Sequence, residues 1–113
     1  MSEEDYIDQI RSIFPDEGDV PYEVIELIEE GIVENPSSER LWVLRGHLIV
    51  LCTKDSNDIT DALLSYKRAL KINPLNVQTY EDIGYYYEEL LGDEVEAGMW
   101  FAKADQLKYS YRN

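Results

Sequence analysis

Trp42-Val43-Leu44-Arg45-Gly46, then a spacer, then Ala62-Leu63-Leu64-Ser65-Tyr66-Lys67-Arg68-Ala69 and finally Pro74, decides the fold of this 113-residue chain. An aromatic residue is followed four positions later by glycine. After the spacer come an alanine, an aromatic four later and an alanine three after that. The same order returns at Tyr80, Gly84, Ala97, Phe101 and Ala104. Steps of three and four revisit one face of a helix. A mixed large-and-small pattern recurring at this period marks stacked helical hairpins rather than a single closed core.

Outward from these stretches, the apolar spacing predicts six helices over residues 3–14, 21–34, 38–54, 59–72, 77–91 and 94–111, with no period-two alternation that would make a sheet. Tyr6, Ile10, Ile13 and Phe14 share one face of the first helix, which Pro15 and the polar run Asp16–Asp19 stop. Pro21 suits the first turn of the second helix. Val24, Ile28, Gly31 and Pro36 repeat the spacing of Ala62, Tyr66, Ala69 and Pro74 with poorer matches, so residues 3–36 form a degenerate first repeat. The Gly46–Ala62 spacer is four residues longer than a minimal hairpin needs, and Lys54–Asn57 takes the surplus as a turn. Asp93 with Glu96, Asp58 with Asp61, and Asn76 are expected helix caps. Gly46 facing Ala62, and Gly84 facing Ala97, would let paired helices approach, with Trp42, Tyr66, Tyr80 and Phe101 filling the wider gaps.

The net charge is −14, and −11 of it lies in residues 1–34. Nucleic acid and anionic membrane need a positive surface, so neither is an expected partner. A basic, or mixed apolar and basic, protein or peptide is. The acidic start Met1-Ser2-Glu3-Glu4-Asp5 lacks the basic, apolar character of a secretory signal, and no run of apolar residues reaches membrane-spanning length, so a cytoplasmic protein is expected. The single cysteine, Cys52, sits in the apolar run Leu48–Cys52 and reads as a structural thiol.

These residues resemble the tetratricopeptide repeat family, whose pattern over about 34 residues is W-x2-LG-x2-Y followed by spaced Ala, aromatic, Ala and Pro. Residues 38–74 match at Trp42, Gly46, Ala62, Tyr66, Ala69 and Pro74, and residues 76–111 at Tyr80, Ile83, Gly84, Tyr87, Ala97, Phe101 and Ala104. Arg45 stands where leucine is usual and Ile49 where tyrosine is usual. The resemblance implies an all-α, antiparallel helix-hairpin α-solenoid of six helices in three pairs, forming one domain over 1–113.

It also implies that the first helix of each pair lines a concave groove that binds a protein or peptide. Arg40, Val43 and His47, with Leu44 and Val50, would line it from the third helix. Gln78, Glu81, Asp82, Tyr85, Glu88 and Glu89 would line it from the fifth. An apolar anchor followed by Lys or Arg complements such a surface. Carboxylates at Glu81 and Asp82 oppose the chaperone-tail carboxylates that some family members grip. In the last helix, which carries Val95, Met99 and Trp100, one neighbouring helix cannot cover both Met99 and Trp100, which suits a homodimer through that helix or another partner.

No catalytic constellation is visible. His47 stands alone, without a serine or cysteine at triad-like spacing. One histidine and one cysteine do not make a zinc site, and Asp55–Asp58 lacks the glycine and closing glutamate of a calcium loop. No enzyme activity, cofactor or metal is expected. Two readings remain: a scaffold or adaptor holding a peptide in its groove, or a small acidic inhibitor or immunity-type protein whose N-terminal third occludes a basic site.

Overall fold

The computed structural model describes residues 1–14, 20–52 and 59–112, with 111 and 112 described by backbone only. Among them the chain is all-α and without strands. Its elements are α1 (Glu3–Ile13), α2 (Tyr22–Glu34), α3 (Glu39–Leu51), α4 (Thr60–Ile72), α5 (Val77–Tyr85) and α6 (Glu94–Arg112). A π-helical turn, Tyr86–Leu90, continues α5. The turns expected at Asp16–Asp19 and Lys54–Asn57, and the Asp58 cap, lie outside the described residues. The chain divides into two compact units, Met1–Ile72 and Asn73–Asn113.

In the first unit α1 pairs with α2, α2 with α3 and α3 with α4. Tyr6, Ile7 and Ile10 of α1 and Phe14 at its C-terminal cap meet Val20, Val24, Ile28 and Ile32, and Leu41 and Leu48 of α3 complete this core. Ser2 caps α1: its hydroxyl accepts from Asp5 N at 3.3 Å, and the Asp5 carboxylate accepts from Ser2 N at 3.1 Å. The bond from the Ser2 backbone N–H foremost, and then the Ser2 hydroxyl, hold the Asp5 carboxyl below its usual value. Pro21 falls at the cap of α2, one residue earlier than the first helical turn.

The two clear repeats share four local devices. Ser38 N donates to Asn35 O at 3.0 Å and Asn76 N to Asn73 O at 3.4 Å, so Asn-Pro makes equivalent turns. Ser38 Oγ then accepts from Leu41 N at 3.3 Å, and Asn76 Oδ1 from Gln78 N at 3.1 Å, starting α3 and α5. Trp42 Nε1 donates to Pro36 O at 3.0 Å, and the Tyr80 hydroxyl donates to Pro74 O at 2.8 Å. Each leading aromatic therefore ties its polar edge to the proline carbonyl six residues back, which gives the spacing a cause that gap-filling does not. Trp and Tyr both carry the donor this bond needs, and Phe does not.

The fourth device is a fit between glycine and ring. A Cβ on Gly46 would lie 2.4 Å from the Tyr66 ring, and one on Gly84 would lie 2.6 Å from the Phe101 ring. Each glycine makes room for the aromatic of the following helix. In the first pair the arrangement is inverted: Gly31, on α2, receives Tyr6 of α1, at 3.0 Å from a built Cβ.

In the second unit α5 and the π-helical turn lie against α6. The separation Gly84–Ala97 exceeds the minimal hairpin by one residue, and the π-helical turn absorbs it. Gly92 then ends the segment at φ +62°, and Asp93 N reaches back to Tyr87 O at 2.9 Å. That bond spans one residue more than the usual helix-ending glycine motif, in keeping with the wider turn. Tyr86 is enclosed while Tyr87 is only half-buried, and the two rings meet edge-on at 5.5 Å.

Candidate functional site

A cleft of about 430 Å³ opens in the first unit between α1, α3 and α4. Ile10 and Phe14 line it from α1, Leu44, Leu48, Val50 and Leu51 from α3, and Arg11, His47 and Tyr66 supply its polar groups. The repeat pattern builds it. Gly46 draws the Tyr66 ring against α3, and His47, the next residue, meets that ring edge-on at 5.6 Å. Half-buried Leu44, His47 and Val50 then share the adjoining face of α3 at steps of three.

The expected groove residues fall in both units. In the first unit, His47 lines the cleft together with Leu44 and Val50, whereas Val43 does not. Arg40 is turned to α1, paired with Glu4 and, at 3.4 Å, with Glu3. In the second unit, Glu81 pairs with Lys108 of α6 at 3.4 Å, and Gln78 donates to Asp82 at 3.2 Å. Tyr85 is exposed yet rests edge-on against Phe101 at 5.1 Å. Glu88 and Glu89 lie exposed on the π-helical turn. Two of the carboxylates read as groove-lining are therefore already engaged inside the hairpin. Ile10, Arg11 and Phe14 were missed as cleft residues, although the α1 apolar face was legible. Spacing fixes a helix face but not which neighbouring helix leaves it uncovered.

Arg45 explains one departure from the repeat pattern. Its guanidinium donates to Glu29 of α2 at 2.6 Å, to Ser65 Oγ at 2.6 Å and to Asp61 O at 3.3 Å. Only 17 % of its side chain is exposed, so a residue that replaces an apolar one acts as a three-way clamp joining α2, α3 and α4. The outer face of α2 retains Glu23, Glu26 and Glu30, exposed and without an ion pair among the described residues. Cys52 caps α3 and packs, half-buried, against the core.

Tyr6 stands out electrostatically. The Glu34 carboxylate facing its hydroxyl, and then burial, push its pKa up to about 12. Tyr87 is raised as well, first by burial and then by Glu96 and Asp93. Among the described residues no three His, Cys, Asp or Glu side chains converge as metal ligands, and no helix is long and apolar enough to cross a membrane. Comparison of the chain with family models, curated proteins and solved structures gives no match.

Proposed function

We propose that this chain is a cytoplasmic protein-interaction module of the tetratricopeptide kind, and that the cleft between α1, α3 and α4 receives an apolar side chain of its partner. The observation that carries this reading is the cleft's lining, six apolar side chains with three polar ones. Concave, mostly apolar sites with a few polar groups are the usual form of binding pockets. Burying one leucine-sized anchor contributes about 1.5–3 kcal/mol, less than the roughly 4 kcal/mol of millimolar affinity. The anchor therefore needs further contacts around it, which suits a peptide or protein segment better than a lone side chain.

The outer face of α2 favours a second reading. Glu23, Glu26 and Glu30 form an exposed carboxylate row that complements a basic site on a partner enzyme, as an acidic inhibitor would. Capture of partners from native lysate separates the two. Proteins held by the wild type and lost from Val50→Arg, with helicity unchanged by circular dichroism, support the cleft. Proteins lost only from Glu23→Gln/Glu26→Gln/Glu30→Gln, or released by salt alone, move the function to α2. The variant Tyr85→Ala/Glu88→Lys asks the same of the exposed α5 face. Retention of all captured proteins by all three variants contradicts both readings.

A further inference from the structure

The outward face of α6 carries a seam of exposed side chains. Val95, Met99, Ala102, Gln106 and Tyr109 recur at steps of four, three, four and three, the heptad spacing of helix-on-helix seams. All five are exposed, Val95 at 79 %, Met99 at 55 % and Tyr109 at 71 %. Gly98 beside them has nothing within 4 Å of a built Cβ, so another helix can come close. The opposite face of α6, through Ala97, Phe101 and Ala104, already serves the hairpin with α5.

We propose that this seam joins two copies of the chain through antiparallel pairing of their α6 helices. The sequence of the seam is complementary to itself when reversed. Met99 meets Ala102 of the second copy and Ala102 meets its Met99, a large residue against a small one in both directions, as a two-fold interface requires. Val95 meets Gln106 in the same register. Tyr109 reaches the start of the second helix, near its exposed Leu91. Flanking charges select the direction. Glu96 lies opposite Lys103 of the second copy, twice by symmetry, and neither makes an ion pair among the described residues of its own copy. A parallel pair would instead gather Glu94 and Glu96 of both copies at one end. The chain is strongly acidic, but α6 itself holds Glu94, Glu96 and Asp105 against Lys103, Lys108 and Arg112 and is neutral. The two α6 helices therefore bring no net charge of their own to the seam.

Sedimentation equilibrium of the full chain in reductant tests the pairing. The wild type forms a dimer. Met99→Glu, at an exposed position that keeps the fold, raises the dissociation constant at least about tenfold. Glu96→Lys and Lys103→Glu each oppose like charges and raise it about three- to tenfold. The double variant Glu96→Lys/Lys103→Glu recreates both pairs and returns it toward the wild-type value. A chain that is monomeric at up to about 1 mM overturns the proposal and leaves the seam to a different protein. A dimer indifferent to Met99→Glu overturns the surface, and failure of the double variant to recover overturns the antiparallel register.

Discussion

At the scale of single residues, glycine and aromatic side chains act as fitted pairs. Gly46→Ala drives a methyl group into the Tyr66 ring and Gly84→Ala drives one into Phe101, at 2.4 and 2.6 Å from the nearest ring atoms. Each is expected to destabilise the chain by about 1–3 kcal/mol, as overpacking does. Gly98→Ala meets nothing and gains helix propensity, so it is expected to stabilise by up to about 1 kcal/mol. Urea denaturation of the three variants checks the contrast, which helix propensity alone would not produce. Tyr6 sets a pH dependence. Its folded pKa, about 12, lies above the ordinary value of 10.0. A raised folded pKa means stability that is complete below pH 10 and is lost as pH rises toward 12. Alkaline unfolding compared between wild type and Tyr6→Phe is expected to show a difference that fades across that window. A constant difference up to pH 12 would contradict the influence of Glu34 on the Tyr6 hydroxyl.

Among the elements, α3 carries the most connections. Arg45→Ala removes the bonds to Glu29, Ser65 and Asp61 together, while Glu29 is half-exposed and easily rehydrated. The expected loss is about 1–3 kcal/mol, and Arg45→Lys, which lacks the planar fork, is expected to recover less than half of it. Differential scanning calorimetry measures both. The helices themselves were legible because the apolar steps, Pro36, Pro74, Ser38 and Asn76 all point to the same limits. The π-helical turn was not. A one-residue surplus between Gly84 and Ala97 is visible in the sequence, but whether a loop or a widened helix absorbs it depends on how Tyr86 packs. The same limit applies to Arg45 and Glu81. Their spacing places them on helix faces, and only the neighbouring helix decides that one becomes a clamp and the other pairs with Lys108.

For the whole molecule, charge and cleft are the two properties on which the proposed binding rests. With −11 of the −14 charge in residues 1–34, self-repulsion is expected to lower stability at low ionic strength. The urea midpoint should rise as the Debye length falls from about 30 Å to about 8 Å. The cleft was half legible: Leu44, His47 and Val50 follow from the α3 spacing, while Ile10, Arg11 and Phe14 join only because α1 lies beside α3. The most direct test of the binding account is methyl NMR of the chain titrated with a peptide selected on it from a random library. The account predicts shifts at the methyl groups of Ile10, Leu44, Val50 and Leu51, abolished by Val50→Arg. Shifts confined to the α2 or α5 faces, or unchanged by Val50→Arg, would contradict it.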